Sequence, residues 1–169
     1  MWNQEMICNR VSLRTRPQPT VPKPIREPEY LTFQLAKEEF AVQVLHVREI
    51  MGVQEITAVP QMPYHVKGVL NLRGKVIPVL DLRLKFGMQE MEYTQRTCII
   101  VVQIEGLVGR ISTGIIVDGV SEVLTLQTAD IEDTPDFGMG AATPYLLGLA
   151  KIKGKVKILL DINKVIQET

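Results

Sequence analysis

The stretch VKGVLNLRGKVIPVLDL, which runs from Val66 to Leu82, has a second copy in the same chain. It aligns without a gap to LLGLAKIKGKVKILLDI, which runs from Leu146 to Ile162, so that Val66 corresponds to Leu146. In both copies, two apolar runs flank a short tip that contains glycine, a pattern typical of two strands joined by a tight turn. The repeat therefore predicts that one β-hairpin occurs twice in the fold.

The similarity extends upstream of the two hairpins. Val42–Val44 and Val47–Ile50 resemble Ile115–Val117 and Val120–Val123, with the same spacing between the two blocks in each copy. The order and spacing of the apolar runs thus recur over residues 31–83 and 97–163, which predicts two subdomains of the same build. Short strands separated by Gly and Pro favour small barrels over a parallel sheet with crossover helices. We therefore expect a mainly β fold with a few short helices.

Residues 1–29 have a different composition. Five of the ten prolines lie between Pro17 and Pro28, and alternating proline favours an extended polyproline conformation that blocks regular helix and sheet. The segment is predicted to be a flexible extension. The alternative is a docking ligand for a groove on a partner protein.

The overall composition argues against several classes of protein. The chain has 19 basic and 19 acidic residues and only 5% aromatic residues, whereas nucleic-acid binders carry a basic excess and often aromatic stacking platforms. The two cysteines, Cys8 and Cys98, are far apart, and only His46 and His65 are available to assist them, so a zinc site is not expected. We find no secretory signal pattern and no apolar run of membrane-spanning length, and we expect a cytoplasmic protein.

A duplicated unit allows each copy to serve as a control for the other, and what both copies keep is attributed to the fold. Gly74 and Gly154 fall between strands, where a tight turn requires positive φ. Gly68 and Gly148 indicate a close approach of two backbones or the end of a turn. Asp81 and Asp161 follow strands, where a carboxylate can accept hydrogen bonds from nearby backbone amides.

Positions at which the copies differ are candidates for function. Arg73 at the tip of the first hairpin corresponds to Lys153 in the second copy. Only Arg has a planar guanidinium group that can pair with a carboxylate or an amide through two hydrogen bonds. Pro78 is answered by Ile158, and a proline within a strand predicts the edge of a sheet. Glu49 is answered by Glu122, so a structural role for this carboxylate is slightly favoured.

Catalytic motifs are missing from the sequence. It contains no Gly-x-Ser-x-Gly elbow, no phosphate-binding glycine-rich loop and no histidine next to a plausible nucleophile. His46 and His65 are interpreted as surface or packing residues. We expect a protein that is not an enzyme and that has no cofactor.

Several blocks of the chain closely resemble the CheW family of chemotaxis coupling proteins. They are Val47–Ile50, Ile56–Pro60, Val66–Gly74, Val79–Arg83, Gly114–Val120 and Tyr145–Gly148. The resemblance covers about residues 30–167. It implies two five-stranded SH3-like barrels with a shared hydrophobic core. It also implies an adaptor that links the cytoplasmic tips of chemoreceptors to the histidine kinase CheA.

The resemblance also implies two sets of binding residues. In the family, the helical hairpin tip of the receptor lies along a groove between the barrels. The groove residues implied here are Val47, Glu49, Gly68, Arg73, Gly114, Val120 and Val123. The regulatory domain of the kinase shares the fold and associates side by side, and the contacts implied for it are Thr97, Cys98 and Phe137. The alternative for each valine is a structural role in the hydrophobic core between the barrels.

Two features depart from the family pattern. The segment of residues 1–29 is longer than the family minimum, and residues 105–113 are expected to form a longer connection than the usual hairpin turn. Two other functions stay open from the sequence: a coupling protein for a non-flagellar chemosensory pathway, and a small-barrel module that binds a ligand or nucleic acid.

Overall fold

The computed structural model describes residues 28–133 and 143–167, and most of these residues lie in β-strands. The strands are β1 Glu29–Leu35, β2 Glu38–Gln43, β3 Val47–Gly52, β4 Val66–Leu72, β5 Lys75–Asp81, β6 Cys98–Gly106, β7 Gly109–Val117, β8 Gly119–Thr125, β9 Ile131–Glu132, β10 Leu146–Ile152 and β11 Lys155–Leu160. The helices are α1 Leu82–Lys85 and α2 Ile162–Gln167, with 3₁₀ turns at Val44–His46, Thr128–Asp130 and Thr143–Tyr145. Residues 1–27 of the segment predicted to be flexible lie outside the described residues. Its last residue, Glu29, is the first residue of β1.

Within these residues the strands form two sheets. The first has the order β3-β6-β7-β5-β4 and the second the order β9-β10-β11-β2-β1-β8. The prediction of a mainly β fold with two repeated sheets and a few short helices is confirmed. The second sheet has one strand more than expected because Ile131 and Glu132 pair with β10. At the corresponding place in the first sheet, Thr57 forms a single bridge with Val69.

The two sheets exchange hairpins. The hairpin β1–β2 comes early in the chain, yet β2 pairs in parallel with β11 of the second sheet. The later hairpin β6–β7 joins the first sheet, where β7 pairs in parallel with β5. The structure differs here from the expectation that residues 31–83 and 97–163 each build one subdomain, because each range supplies a hairpin to the other sheet.

The exchange creates a core between the sheets in addition to one inside each sheet. Residues of β6 alternate, so that Ile99 and Val101 lie in the core of the first sheet, while Ile100, Val102 and Ile104 lie in the central core. This accounts for the continuous apolar run in β6, since a strand buried on both faces has no polar side to present. The second sheet encloses its own cluster, which includes Tyr30, Ala41, Leu126, Ala150 and Leu159.

Two expectations about individual segments are wrong. Residues 105–113 are not a long connection, because β6 and β7 keep a regular register out to the pair Gly106–Gly109 and are joined by a turn of Leu107 and Val108. Pro78 does not mark an edge, because β5 lies between β7 and β4. Its missing N–H is accommodated because the pairing with β7 begins one residue later, at Val79.

Candidate functional site

The predicted receptor-groove residues divide between the two sheets. Those on the first sheet lie on or next to its strands, and they are Val47, Glu49, Gly68, Arg73 and Gly114. Val120 and Val123 lie on β8 of the second sheet. Among the described strands, β3 pairs only with β6, and β8 pairs only with β1, so both strands are sheet edges.

The three valines of this set differ in burial. Val47 and Val120 are half-buried and pack against the central core between the sheets. Val123 is 52% exposed. The core interpretation therefore applies in part to Val47 and Val120, whereas Val123 offers an apolar side chain to solvent on an edge strand.

Gly68 and Gly114, the two glycines of this set, are buried, and each lies where a side chain would come too close to neighbouring atoms. A Cβ on Gly68 would lie 2.1 Å from the carbonyl oxygen of Thr57, and this glycine has φ of +144°. A Cβ on its counterpart Gly148 would lie 2.7 Å from the carbonyl oxygen of Glu132. At Gly114 an added Cβ would meet Ile99 Cγ2 at 3.0 Å. Close backbone approach, which the sequence predicted as one reason for Gly68 and Gly148, is thus the reason at both sites.

Arg73 and Glu49 pair with each other. Arg73 Nη1 and Nη2 donate to the two carboxylate oxygens of Glu49, at 3.0 and 2.8 Å. Arg73 is 75% exposed and Glu49 27% exposed, and Arg73 has φ of 51° at the tip between β4 and β5. Asn71 Oδ1 accepts a hydrogen bond from Gly74 N at 3.0 Å and so stabilises this turn. Arg73 and Glu49 therefore form one ion-paired unit on the surface of the first sheet.

This pair lies at a polar cleft of about 360 Å³. The charged residues of the cleft are Arg48, Glu49, Arg73 and Lys75, and Gln103 and Ser112 line it as well. Arg48 Nε donates to Gln103 Oε1 at 3.0 Å, and Gln103 Nε2 donates to Ser112 Oγ at 3.1 Å. With three cations and one carboxylate, the cleft is suited to an acidic or carbonyl-rich partner surface. Sequence reasoning missed Arg48 and Gln103 because they meet across two strands.

Two of the predicted kinase-contact residues lie at the start of β6, since Cys98 is its first residue and Thr97 directly precedes it. Thr97 is buried, and its Oγ1 accepts a hydrogen bond from Thr94 N at 2.8 Å. The Cys98 thiol is half-buried, donates to the carbonyl oxygen of Arg96 at 3.2 Å, and packs against the central core. Phe137 lies outside the described residues.

Several polar side chains, those of Tyr93, Lys67 and Glu90, lie around Asp81, and this cluster was not predicted from the sequence. Asp81 Oδ1 accepts from Arg83 N at 2.9 Å and so caps α1, as expected for this position. Tyr93 Oη lies 3.5 Å from Asp81 Oδ2. Burial raises the pKa of the Asp81 carboxyl and also the pKa of Tyr93. Next to them, a hydrogen bond to Glu90 raises the pKa of Lys67.

The histidines and the carboxylates form no metal-binding group within residues 28–133 and 143–167. His46 Nδ1 lies 3.3 Å from the carbonyl oxygen of Gln103, and burial lowers the pKa of His65. In this part of the chain, no group of three or more His, Cys, Asp or Glu residues is placed to hold a metal ion. Nor does any helix among these residues have the length and apolar character needed to cross a membrane.

Comparisons with known proteins agree with this architecture. Residues 29–169 match the model of the CheW-like domain. The chain is 41% identical over 138 residues to the chemotaxis protein CheW of Klebsiella aerogenes, covering 82% of this chain and 81% of that protein. It is 30% identical to protein FrzA of Myxococcus xanthus, covering 83% and 86%.

A solved structure supports the same relationship. The crystal structure of the scaffolding protein TtCheW from Thermoanaerobacter tengcongensis superposes with a TM-score of 0.70 at 32% identity. The match covers 79% of this chain and 88% of that chain. The family model spans more than two thirds of the sequence, and both the sequence identity and the superposition extend over most of each chain. The chain therefore belongs to the CheW-like family.

Proposed function

We propose that this chain is a non-enzymatic adaptor that couples the cytoplasmic tips of chemoreceptors to the histidine kinase CheA. The observation that carries the proposal is the match of residues 29–169 to the CheW-like domain. The architecture suits an adaptor, since two sheets joined through one central core present separate surfaces to separate partners. We place the protein in the cytoplasm, held at receptor arrays through its partners and without a cofactor.

For the receptor we propose a surface that combines the exposed apolar edge of β8 with the Arg73–Glu49 unit. An amphipathic helical hairpin recognised in a groove needs apolar contacts for its buried face and polar contacts that fix its orientation. Val123 with Val120 and Val47 would supply the first, and the polar cleft around Arg73 would supply the second. Gly68 and Gly114 would act by holding strands close together.

For the kinase we propose the start of β6 and the segment that contains Phe137. Cys98 is half-buried and pairs with Val117 at the end of the β6–β7 ladder. This end of the ladder lies away from the Arg73–Glu49 unit, since Gly52 pairs with Cys98 three positions beyond the pair of Glu49 with Val101. The two partners would then contact different parts of the first sheet, and the receptor would also contact β8 of the second sheet.

The deciding experiment is co-sedimentation of the full chain with a membrane-anchored receptor fragment and CheA. We expect wild-type protein to carry CheA into the receptor pellet, and Arg73→Ala to reduce its own receptor binding while the fold survives. The matched control is Lys153→Ala, at the same turn of the other repeat and with the same positive φ. Normal receptor binding by folded Arg73→Ala would overturn this residue's role, and no co-sedimentation of wild-type protein would overturn the function.

A second candidate function is that of a coupling protein in another chemosensory pathway. The chain resembles both chemotaxis protein CheW and protein FrzA. A coupling protein for a non-flagellar chemosensory system would use the same fold and the same partner classes. A deletion strain distinguishes the two, since loss of swimming chemotaxis supports the flagellar pathway and an intact swimming response supports the other. A single-stranded DNA titration tests the nucleic-acid alternative, which predicts salt-dependent binding.

A further inference from the structure

The chain passes between the two sheets at equivalent points in the two repeats. After β2, the turn Val44–His46 leads from the second sheet to β3 of the first sheet. After β7, Asp118 leads from the first sheet to β8 of the second sheet. The alignment that pairs Val44 with Val117 places Leu45 and Asp118 at corresponding positions.

The crossover at Asp118 is held by several hydrogen bonds. Arg83 Nε donates to Asp118 Oδ1 at 2.7 Å, and Arg83 Nη2 donates to Asp118 Oδ2. Asp118 Oδ2 also accepts from Ala36 N at 2.7 Å, and Asp118 N donates to the carbonyl oxygen of Gln34 at 2.9 Å. Arg83 Nη1 reaches the carbonyl oxygen of Gln89 at 3.2 Å. The carboxylate thereby links α1 to the β1–β2 turn, and the backbone N–H of Asp118 bonds to β1.

The ion pair at this crossover is partly shielded from water. The Arg83 side chain is 14% exposed and the Asp118 side chain 29% exposed. A bidentate pair in this setting restricts both the distance and the orientation of its partners more than an exposed pair does.

The corresponding crossover in the other repeat lacks this chemistry. Asn163 stands at the position of Arg83, one residue beyond the aligned hairpins, and Leu45 stands at the position of Asp118. The hydrocarbon side chain of Leu45 is 67% exposed and cannot accept a hydrogen bond. A cleft of about 110 Å³ lies here, lined by residues that include Gln43, His46 and Asn163. The two repeats thus differ in how firmly their crossovers are attached.

We propose that Arg83 and Asp118 are positioning residues that hold edge strand β8 and the start of β6 in one fixed relation. Asp118 lies directly after Val117, which pairs with Cys98, and directly before Gly119, which begins β8 and pairs with Gln34. The inference rests on the proposed function in one respect, namely that β8 faces the receptor and the start of β6 faces the kinase. The pair would then set the geometry in which both partners are bound at once.

The first test is hydrogen exchange on the full chain. Arg83→Gln is expected to speed exchange of the backbone amides of β8 by about tenfold. The matched control Asn163→Ala, at the corresponding position of the other repeat, is expected to leave them unchanged. Unchanged exchange in folded Arg83→Gln would overturn the proposal. If Arg83→Gln does not fold, Arg83→Lys keeps the charge without the bidentate geometry and is expected to show a smaller increase of the same sign.

The second test separates positioning from a purely structural role. Binding of the receptor fragment alone and of CheA alone is expected to change by no more than about twofold, while CheA recovered in the receptor pellet falls by about fivefold or more. Faster exchange together with an unchanged ternary complex would reduce the pair to a structural role and overturn the proposal. If wild-type protein binds no receptor, the proposed function fails, and hydrogen exchange alone decides whether the pair holds β8.

Discussion

Lys157 in β11 and Glu39 in β2 form an ion pair between neighbouring parallel strands, and the register places the two residues side by side. The Lys157 side chain is 7% exposed and the Glu39 side chain 21% exposed. In the other repeat, the same alignments place Ile77 at the position of Lys157 and Ser112 at the position of Glu39. If each repeat kept its own hairpin, Lys157 would lie against Ser112 and Glu39 against Ile77, and both charges would lack a partner. The ion pair therefore favours the exchanged arrangement.

Replacing one member of this pair should be costly. Lys157→Met is expected to lower the free energy of unfolding by about 3 kcal/mol, because it leaves the partly buried Glu39 carboxylate without its partner. Urea unfolding at neutral pH measures the change.

The double variant Glu39→Ser/Lys157→Ile, which copies the other repeat, serves as the control. It should recover stability to within about 1 kcal/mol of wild type, because no unpaired charge remains. It should also refold to a lower yield of protein with the native strand pairing, since the arrangement without exchange is no longer penalised. A double variant as unstable as Lys157→Met would contradict this account.

Arg73 and Glu49 should behave as one unit in receptor binding. Because the Arg73 end of the pair is 75% exposed, Arg73→Ala and Glu49→Ala should each change the free energy of unfolding by no more than about 1 kcal/mol. Their effects on receptor affinity should be strongly non-additive, since either change removes the bidentate geometry. A double-mutant cycle with a receptor fragment measures the coupling, and simple additivity would show that the residues act separately.

Gly68 and Gly148 should tolerate no side chain. Gly68→Ala is expected to cost about 3 kcal/mol, because the new Cβ would overlap the carbonyl oxygen of Thr57 and force the backbone apart. Gly74→Ala provides the comparison, since Gly74 also has positive φ but open space around it, and it should cost only about 1 kcal/mol. Thermal unfolding of the two variants tests the order, and equal losses would refute the steric explanation.

Asp81→Asn should alter the pH dependence of stability. Because burial raises the pKa of this carboxyl above its ordinary value of 3.8, its contribution to stability is present below that value and is lost as the pH rises through the higher folded-state pKa. The amide of the variant would keep an oxygen that caps α1 without ionising. The stability of Asp81→Asn relative to wild type should therefore increase between about pH 3 and about pH 7.

The counterpart Asp161→Asn shows the effect of exchanging a capping carboxylate for an amide, since Asp161 Oδ1 accepts from Asn163 N and Lys164 N. Urea unfolding of both variants across this range is the measurement. A difference between Asp81→Asn and wild type that does not vary with pH would disprove the assignment.

Local features were predictable from the sequence. Alternating apolar residues and glycine-containing tips located the hairpins at residues 66–82 and 146–162, and the repeat by itself indicated two similar sheets. The pairing of Asp81 and Asp161 with following backbone amides was also predicted, since such contacts form within two or three residues. Comparison of the repeats drew attention to Arg73, although it did not identify Glu49 as the partner of Arg73.

Long-range relationships were not predictable in the same way. Pro78 suggested an edge strand, yet β5 is an inner strand whose second neighbour comes from the other half of the chain. Arg83 and Asp118 are 35 residues apart, and Lys157 and Glu39 are 118 residues apart. Nothing in the spacing of such residues indicates that they meet.

The sequence by itself determined the strands, the turns and the duplication, because hydrophobic alternation and backbone preferences act between near neighbours in the chain. The tertiary structure alone decided which hairpin completes which sheet, and with that the Lys157–Glu39 pair, the Arg73–Glu49 unit and the attachment of Asp118 to Arg83. The physical reason is that a parallel strand pair and a shielded ion pair draw their stability from burial, and burial exists only once distant segments have come together.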